Sequence, residues 1–524
     1  MKKTLFFLMT FGSFQVIAQP VNIRISSLAS DDPEEVTISV NPRNPLQLVA
    51  GANLNYVYYS NDGGITWVEN YLSSSYEVAG DPVVMFDSSG NAYYAHLSGS
   101  TSNWLDRMVI QKSTDGGVTW NDGAFTGLNM PKQQDKEWLI FDMTQSPYRN
   151  NVYITWTEFD EYASTSSIDS TRILFSRSSD FGNTWTPALR INSRSGDCID
   201  EDNTVEGAVP AVGPNGEIYV SWAGPLGIVF DKSLDGGNTW GVDVPVATTP
   251  GGWAFNISGI SRANGLPFTF CDVSNSAYRG NIYIMWSDLR NGASNGDIFI
   301  ARSTDGGNTW SAPIRVNDDA TIHQQFFPCM TIDQTNGDIY IVFYDRRNYT
   351  DERTDVYVAK SIDGGLTFTN FIISQIPFDP NPSVFFGDYI GITAWGGKAW
   401  PIWMRMDAGD LSVWTAVIDP TTNVSEYHTQ LDYGLTQNYP NPFMDNTQIS
   451  YSLMKTAQIE LKIINAIGQT IEILDKGLKK EGVYCVSWNG CNEAGIRQSQ
   501  GVYTVLLQAE RFTYTRKIIL VDGN

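Results

Sequence analysis

The chain has 524 residues, which is more than one typical domain holds, and its 34 Lys and Arg against 57 Asp and Glu give a formal net charge of −23. This charge excludes nucleic-acid binding through phosphate neutralisation and disfavours attachment to an anionic membrane surface. Aromatic residues make up 13% of the chain, charged residues only 17%, and there are 46 glycines, a composition that is typical of strands joined by tight turns and too apolar for disorder. We therefore expect an all-β protein.

Residues 1–18 have the pattern of a secretory signal peptide. Lys2 and Lys3 form a basic start, and the apolar run that follows ends in a small residue, Ala18. We expect the mature chain to begin at Gln19. Because no later stretch offers the roughly 20 consecutive apolar residues of a membrane span, the mature chain is predicted to lack a transmembrane segment and to be exported.

The first domain is predicted from an internal repeat, six segments that read SNDGGITW, STDGGVTW, SSDFGNTW, SLDGGNTW, STDGGNTW and SIDGGLTF. Their aspartates are Asp62, Asp115, Asp180, Asp235, Asp305 and Asp363. The intervals between these aspartates are 53 to 70 residues, which is enough for one four-stranded sheet per repeat. The segments resemble the Asp-box of sialidases and other bacterial neuraminidase repeat proteins, and their spacing predicts the blades of a β-propeller.

The six aspartates are interpreted as structural. In such a segment the carboxylate can accept N–H groups of its own turn, the glycine can adopt a positive φ, and the Trp covers the edge of the blade. A carboxylate that is occupied by its own turn is not available for acid–base chemistry. We therefore predict a turn-forming role and no catalytic role for these residues.

A second repeated unit gives the number of blades. An apolar strand, a short turn and another apolar strand precede each box, and a seventh copy, Asp388 to Met406, has no box. Seven units predict a seven-bladed propeller over residues 19–431, with the six-bladed ring of sialidases as the alternative. The segment Asn22 to Ser26 has no blade before it, so we expect it to complete the seventh blade and close the ring.

Acidic residues recur where the first strand of a predicted blade begins: Glu35, Asp81, Asp135, Glu206 and Asp388. The resemblance to sialidases implies that these positions face one open end of the ring, opposite the boxes. Carboxyl groups collected in a partly desolvated site can have their pKa values pushed apart, so that one acts as an acid while another stays ionised, as in glycoside hydrolysis. Asp81, Asp135, Glu206 and Asp388 are therefore the candidate catalytic acids. No cofactor is required, although the same oxygen atoms could bind Ca²⁺.

Four arginines follow predicted second strands and are candidate substrate-binding residues: Arg290, Arg346, Arg347 and Arg405. Arginine can hold a substrate carboxylate in a bidentate grip, and the resemblance to sialidases implies three such arginines and a tyrosine nucleophile. Tyr389 and Tyr344 are the candidates for that nucleophile. In the alternative interpretation, Asp288 with Arg290 and Asp345 with Arg347 form structural ion pairs from blade to blade. The sequence departs from sialidases in lacking their Arg-Ile-Pro motif and in its count of seven units.

A second domain is predicted over residues 435–524. Its segments QNYPNPFMDNTQISYSL, AQIELKIINAIGQTIEIL, GVYCVSWNGCNEAG and GVYTVLLQAERFTYTRKIILV read as short alternating strands, which predicts an immunoglobulin-like β-sandwich. They resemble the C-terminal sorting domain of the type IX secretion system of Bacteroidetes-type bacteria. The resemblance implies an export tag that the secretion machinery recognises and cleaves, and a protein that is secreted or held on the outer surface of a Gram-negative cell. A carbohydrate-binding or adhesive sandwich is the alternative.

Cysteine and histidine are too sparse to predict a metal or redox site. The chain has five Cys and three His, with no CxxC pair. Cys485 and Cys491 are close enough in sequence to form a disulfide, and the residues alone leave that pairing open.

The sequence leaves three functions open. The first is an exported, sialidase-like propeller that binds an extracellular glycan or glycoprotein and hydrolyses it as an exo-acting glycoside hydrolase. The second is a non-catalytic propeller scaffold that binds protein or polysaccharide partners. The third is a lyase or another polysaccharide-degrading enzyme. Whether the protein is an enzyme is not decided by its residues alone.

Overall fold

The computed structural model describes residues 19–27, 30–100, 103–407, 409–419, 433–435, 438, 440–453, 456–465, 468–480, 482–509 and 512–521. The chain divides into two compact units, Met1–Thr421 and Thr422–Asn524. The predicted signal peptide, residues 1–18, and most of the predicted boundary between the two domains lie outside the described residues. Every regular element in the described residues is a β-strand. These residues contain no helix that is long and apolar enough to cross a membrane.

Seven four-stranded antiparallel sheets, here called blades 1 to 7, make up most of unit 1. In chain order the strands are β1 (Asn22–Arg24); β2 (Thr37–Val40), β3 (Leu48–Ala52), β4 (Tyr56–Ser60) and β5 (Val68–Tyr71) of blade 1; β6 (Val83–Phe86), β7 (Ala92–Ser100), β8 (Asn103–Ser113) and β9 (Ala124–Thr126) of blade 2; β10 (Gln133–Phe141), β11 (Val152–Phe159), β12 (Thr171–Ser178) and β13 (Leu189–Arg190) of blade 3; β14 (Glu206–Val212), β15 (Ile218–Gly224), β16 (Gly227–Ser233) and β17 (Val244–Ala247) of blade 4; the separate hairpin β18 (Ala254–Phe255) and β19 (Ala263–Asn264); β20 (Phe268–Cys271), β21 (Ile282–Asp288), β22 (Asp297–Ser303) and β23 (Ile314–Arg315) of blade 5; β24 (Gln325–Ile332), β25 (Ile339–Asp345), β26 (Asp355–Ser361) and β27 (Thr369–Ile372) of blade 6; and β28 (Gly391–Trp395), β29 (Lys398–Asp407) and β30 (Asp410–Ala416) of blade 7.

The blades form a closed ring. The first strand of each blade, its inner strand, packs against the inner strand of the next: β2 on β6, β6 on β10, β10 on β14, β14 on β20, β20 on β24, β24 on β28, and β28 on β2 again. A ring of radially arranged four-stranded sheets is the architecture of a β-propeller. The number of sheets in the ring equals the number of repeated units in the sequence.

The two ends of unit 1 meet in blade 7. Strand β1 pairs with β30, with Asn22 opposite Ala416 and Arg24 opposite Trp414. The blade therefore takes its outer strand from the N-terminus and its other three from the end of the unit, which confirms the predicted closure. This pairing covers an edge that β30 would otherwise expose.

Large aromatic side chains separate neighbouring blades. The second strands β11, β15, β21 and β25 are buried along their whole length. Both faces of such a strand are covered, so it needs apolar residues at consecutive positions, as in the segments VYITW and IYIMW. Equivalent positions near the ends of five second strands carry aromatic side chains that are at most 1% exposed: Trp156, Trp222, Trp286, Phe343 and Trp403. These rings fill the space between blades and stabilise the ring.

The six aspartate turns join the third and fourth strands of blades 1 to 6. In the copy at Asp363, Oδ1 accepts the Thr367 N–H at 2.9 Å and the Ser361 hydroxyl at 2.8 Å, and Oδ2 accepts the Thr367 hydroxyl at 2.6 Å. The same three hydrogen bonds recur at the other five aspartates: Asp62, Asp115, Asp180, Asp235 and Asp305. Each carboxylate is therefore saturated by its own turn.

Replacing Asp363 by Ala is expected to destabilise unit 1 without changing its fold. The substitution leaves the Thr367 N–H and two hydroxyls without their acceptor, at a cost of about 1–2 kcal/mol in the free energy of unfolding. Thermal unfolding followed by circular dichroism measures the effect. Asp363→Asn, which keeps Oδ1, should lose less, and equal midpoints for wild type and Asp363→Ala would contradict the assigned role.

Unit 2 is a two-layer β-structure. Its strands are β31 (Tyr433–Leu435), β32 (Thr447–Leu453), β33 (Ala457–Ile464), β34 (Thr470–Lys479), β35 (Gly482–Trp488), β36 (Gly501–Ala509) and β37 (Phe512–Leu520). They form one sheet in the order β31-β32-β35 and another in the order β34-β33-β36-β37, and both sheets contribute to one apolar core. This arrangement is a β-sandwich. Cys485 and Cys491 are both free thiols, so the disulfide left open by the sequence does not form.

Candidate active site

Three charged residues have left-handed backbone where inner strands begin. The φ angles are 54° at Glu35, 53° at Asp81 and 53° at Lys136. Residues with a Cβ rarely adopt this conformation, which costs on the order of 1 kcal/mol or more and is concentrated at functional sites. The inner strand of blade 3 also has a register shift between Asp135 and Trp138. Such bulges reorient side chains. The side chains of Glu35, Asp81 and Lys136 meet at the end of the ring where inner strands begin. We call this end the mouth.

Lys136 joins carboxylates from three other blades. Its Nζ lies 2.6 Å from Asp388 Oδ2, 3.1 Å from Asp81 Oδ2 and 3.4 Å from Glu35 Oε1. Glu35 also accepts a hydrogen bond from Asn53 Nδ2. The lysine side chain is only 10% exposed. We call Lys136, Glu35, Asp81 and Asp388 the lysine cluster.

Opposing effects set the charges in the lysine cluster. Burial alone would lower the pKa of Lys136, but Asp388, Asp81 and Glu35 outweigh it and hold that pKa well above its usual value. Burial and the nearby Asp81 raise the pKa of Glu35. The cluster therefore contains a firmly charged ammonium and a carboxyl group that tends to keep its proton.

An insertion between blades 4 and 5 brings a second cation to the mouth. It carries the β18–β19 hairpin and Arg262, whose Nε donates to Asp388 Oδ1 at 3.0 Å while Nη2 contacts Oδ2 of the same carboxylate. Arg262 Nη1 also donates to Asp200 Oδ2 at 3.0 Å. Burial would raise the pKa of Asp388, but Lys136 and Arg262 outweigh it and hold the pKa below its usual range. Asp388 therefore stays ionised.

A second group of carboxyls adjoins Arg262. Burial raises the pKa of Asp135 to about 7, and its Oδ1 accepts the Lys136 N–H at 3.0 Å. Burial, together with Asp200 and Asp135, raises the pKa of Glu206 well above its usual value. The carboxyl oxygens of Glu206 and Glu137 are buried and have no hydrogen-bond partner among the described residues. Unsatisfied buried carboxyls are rare and are retained where they have a function.

A pocket opens beside the lysine cluster. Its cavity volume is only about 40 Å³. Asp81, Lys136 and Asp388 form polar parts of its wall, and Trp138 and Phe268 form apolar parts. Small-molecule sites share this mixture of apolar walls and convergent polar groups but enclose roughly 300–1,000 Å³, so this pocket can receive only one part of a larger ligand. Within the described part of the chain, no group of three or more His, Cys, Asp or Glu side chains is arranged to hold a metal ion.

The structure brings the four predicted acids together, since Asp81 and Asp388 contact Lys136 while Asp135 and Glu206 lie in the adjoining carboxyl group. Tyr389 lies beside them, 8% exposed, with its hydroxyl donating to Pro82 O at 3.4 Å. Burial and the carboxylate of Asp81 raise its pKa well above the usual value, so the phenol is neutral and lacks the character of an activated nucleophile. Tyr344 is likewise buried, and its hydroxyl donates to a backbone carbonyl, Met404 O, at 2.7 Å.

The four predicted arginines are each engaged on their own blade and are not gathered around the lysine cluster. Arg290 pairs with Asp288 and Arg347 with Asp345, and in each pair the residues are two positions apart at the end of one strand. Arg346 donates from Nε to Thr354 Oγ1, and Arg405 lies over the ring of Trp414 at 4.7 Å. Arg290 and Arg347 lie in the turns that follow β21 and β25, and their backbone N–H groups donate to Asp288 Oδ1 at 3.0 Å and to Asp345 Oδ1 at 2.7 Å. Both ion pairs are therefore local to one blade, which corrects the alternative interpretation that they join neighbouring blades.

The two cations that contact the carboxylates of the site, Lys136 and Arg262, are not among the predicted residues. Lys136 lies two residues before Trp138, where β10 resumes its pairing after the register shift, just as Glu35 and Asp81 lie two residues before β2 and β6 begin. That equivalence is a signal the sequence contained. Arg262 lies in an insertion without counterpart in the other repeats, and its contact with Asp388 spans 126 positions. Nothing local to its sequence indicates that contact.

Comparison with known proteins gives one family match, within unit 2, and several similar solved structures. Residues 444–511 match the family of FlgD Ig-like domains. No curated protein matches the chain. Similar solved structures include an α-L-arabinanase of Penicillium chrysogenum complexed with arabinobiose, at 14% identity and a TM-score of 0.42, covering 76% of this chain and 98% of that chain. An ulvan lyase of polysaccharide lyase family PL25 has 12% identity and a TM-score of 0.46, covering 76% of this chain and 96% of that chain. A Trypanosoma rangeli sialidase variant displaying trans-sialidase activity has 13% identity and a TM-score of 0.39, covering 88% of this chain and 87% of that chain. Likeness at these identities assigns neither a reaction nor a substrate to this chain.

Proposed function

We propose that unit 1 is an exported glycoside hydrolase that acts on neutral glycans, with Asp135 as general acid and Asp388 as the ionised carboxylate. The observation that carries this proposal is the contrast between two buried carboxyls of one site: Lys136 and Arg262 both contact the carboxylate of Asp388, whereas Asp135 accepts the backbone N–H of Lys136. In keeping with these contacts, the pKa of Asp135 is raised to about 7, and that of Asp388 is held below its usual range by Lys136 and Arg262. A protonated carboxyl and an ionised one are the pair that most glycoside hydrolases use.

The proposed reaction uses these two groups as follows. The Asp135 carboxyl donates its proton to the glycosidic oxygen as the bond from that oxygen to the anomeric carbon breaks. Asp388 stabilises the positive charge that develops on the sugar, and water adds to the anomeric carbon and returns a proton to Asp135. Because two cations already hold Asp388, we assign it an electrostatic role rather than that of a covalent nucleophile.

The charge of the mouth favours a neutral sugar over an anionic one. Lys136 contacts three carboxylates, and Arg262 contacts Asp388 and Asp200. Both cations of the described site are therefore already paired, and a sialic acid, sulfate or uronate group would meet surplus negative charge. The hydroxyl groups of a neutral sugar can instead donate to the ionised oxygens and accept from the protonated carboxyls.

The ion pairs of Lys136 with three carboxylates also favour a second candidate function, a propeller that binds glycans without cleaving them. A lysine surrounded by three carboxylates also ties blades 1, 2, 3 and 7 together, and structural ion-pair networks perturb pKa values as catalytic sites do. Product formation distinguishes the two functions, because both predict binding and only one predicts cleavage.

The test is mass spectrometry of products after incubation of the mature chain with neutral, sulfated and sialylated glycans. We expect product from a neutral glycan, at least a hundredfold slower turnover for Asp388→Asn, and no change for Asp351→Asn, which alters an exposed pair with Arg353. Cleavage confined to charged glycans would overturn the neutral assignment. Binding without product would favour the second candidate, and neither binding nor product would reject both.

We propose further that residues 1–18 direct export and that unit 2 is the sorting domain of a type IX secretion system, which places unit 1 outside a Gram-negative cell. The resemblance in sequence and the β-sandwich fold support this assignment, and the match of residues 444–511 to an Ig-like domain agrees with it.

Deleting residues 435–524 is expected to abolish release of the protein by a bacterial host with a type IX system. The truncated chain should accumulate in the periplasm, since its signal peptide remains, and immunoblots of cell fractions and medium measure this. Release of the truncated chain at the wild-type level would contradict the sorting role.

A further inference from the structure

Two exposed aromatic side chains stand next to the residues of the mouth. Trp104 is 56% exposed and lies at the start of β8, and Phe385 is 40% exposed and lies three residues before Asp388. Single exposed apolar residues are common on protein surfaces, so exposure alone assigns them nothing. A function is indicated by the contacts of these two side chains and by the backbone beside Trp104.

A short series of contacts links Trp104 to the site. Its ring packs edge-on against the ring of Tyr162, with centroids 5.3 Å apart. The Tyr162 hydroxyl donates to Asp200 Oδ2 at 2.8 Å, and that oxygen also accepts from Arg262. Arg262 in turn holds Asp388. Trp104 is therefore linked to the proposed catalytic carboxylate through Tyr162, Asp200 and Arg262, while 56% of its surface is exposed.

Phe385 reaches the same arginine directly. The Arg262 guanidinium lies over its ring, 5.3 Å from the centroid. A cation held over an aromatic face fixes both groups. Arg262 thus connects Asp388 to both exposed aromatic rings.

The backbone beside Trp104 provides an independent indication of function. The pairing of β7 with β8 shifts register between Leu97 and Gly99, and Leu105 adopts a left-handed φ of 55°. A bulky residue pays a conformational cost in this region, and bulges next to active sites redirect side chains. Leu105 is buried in the core, 3% exposed, and the neighbouring Trp104 is left outside it.

We infer that Trp104 and Phe385 are platforms for sugar rings of a glycan chain that extends from the lysine cluster. A neutral sugar ring has an apolar face of C–H groups and a polar rim, so an exposed aromatic ring can bury the first while water solvates the second. The ligand is then a neutral oligosaccharide or polysaccharide chain, rather than a single sugar. This inference rests on the proposed function, because its occupant is the same glycan that enters the mouth.

The test compares Trp104→Ala with wild type on arabinan, xylan and glucan oligosaccharides of increasing length. We expect kcat/KM to rise with length for the wild type, and the variant to lose about tenfold on the longer oligosaccharides and nothing on the shortest. Trp104→Phe should restore part of the loss. Tyr71→Ala is the matched control, since Tyr71 is 55% exposed, contacts one ring at 5.2 Å and lies on an outer strand, β5.

Each outcome decides the inference. A loss confined to longer oligosaccharides supports it, and an equal loss at all lengths, or none, overturns it while the proposed function stands. If the wild type binds the oligosaccharides without cleaving them, dissociation constants replace kcat/KM: the same length-dependent loss then supports the platforms although hydrolysis fails. Binding to none of the oligosaccharides would overturn both.

Discussion

Replacing Lys136 by Met is expected to lower the free energy of unfolding of unit 1 by about 3–5 kcal/mol and to abolish turnover. The substitution removes the one ammonium that Glu35, Asp81 and Asp388 share, and leaves their carboxyl groups buried without it. An uncompensated buried charge is among the few causes of destabilisation this large. Thermal and urea unfolding followed by circular dichroism, together with product assays, measure both effects.

The effect of Lys136→Met should depend on pH. Carboxyls that lose their cation have higher pKa values and are less costly once protonated, so the difference from wild type should shrink as pH falls from 7 towards 4. In the wild type the raised pKa of Lys136 stabilises the fold below the usual lysine pKa, and this contribution is lost only as pH rises above it. Adding Asp81→Asn to the variant should recover part of the stability.

Lys132→Met is the matched control for Lys136→Met. Lys132 contacts Glu158 and Asp160, but Arg172 contacts both of these carboxylates as well. Its removal should therefore cost less than about 1 kcal/mol. Equal unfolding midpoints for Lys136→Met and wild type would contradict the account of the lysine cluster.

Asp135→Asn is expected to lower kcat by two to four orders of magnitude, the usual contribution of a general acid. Because the pKa of Asp135 is raised to about 7, the proton is present below that pH and lost above it. The kcat/KM of the wild type should therefore fall as pH rises through about 7. Asp388 is ionised throughout this range, because its pKa is held below the usual value. It therefore causes no change in the pH–rate profile near neutrality.

Two controls test whether the loss of activity comes from the carboxyl of Asp135 itself. Asn at position 135 keeps an oxygen for the Lys136 N–H, so unfolding midpoints close to wild type would show that the loss is chemical. Asp160→Asn should leave the alkaline limb in place, because Lys132 and Arg172 outweigh the burial of Asp160 and hold its pKa below the usual range. A limb that persists in residual activity of Asp135→Asn would assign the acid to another carboxyl, such as Glu137.

The architecture follows from local sequence because each blade is specified by signals within about sixty residues. The turn at Asp363 needs only Ser361 and Thr367, two and four positions away. Continuous apolar runs indicate strands that are covered on both faces. The strand-like segment at Asn22, which has no blade before it in the sequence, indicates the partner of β30. All of these features can be recognised from one repeat and its neighbours.

The candidate site was only partly predictable because it depends on contacts between repeats. Asp81 and Asp388 were found since they occupy equivalent starts of inner strands, and the ring brings such positions together. Lys136 occupies an equivalent position, but it carries the opposite charge and so does not belong to the pattern of acidic residues that indicates the site. The contact of Arg262 with Asp388 depends on an insertion that only the folded chain positions. Conversely, Arg290 was expected at the mouth but is paired locally with Asp288.

The most direct test of the proposed function is hydrolysis of neutral oligosaccharides in water enriched in oxygen-18, with the products analysed by mass spectrometry. A hydrolase adds water to the anomeric carbon, so our account predicts that the wild-type protein forms a new reducing end that carries the heavy oxygen. With Asp135→Asn the same labelled product should form at least a hundredfold more slowly. An unsaturated product without heavy oxygen would identify a lyase instead. Oligosaccharides that remain intact at every pH between 5 and 8 would contradict the assignment of Asp135 and Asp388 as a catalytic pair.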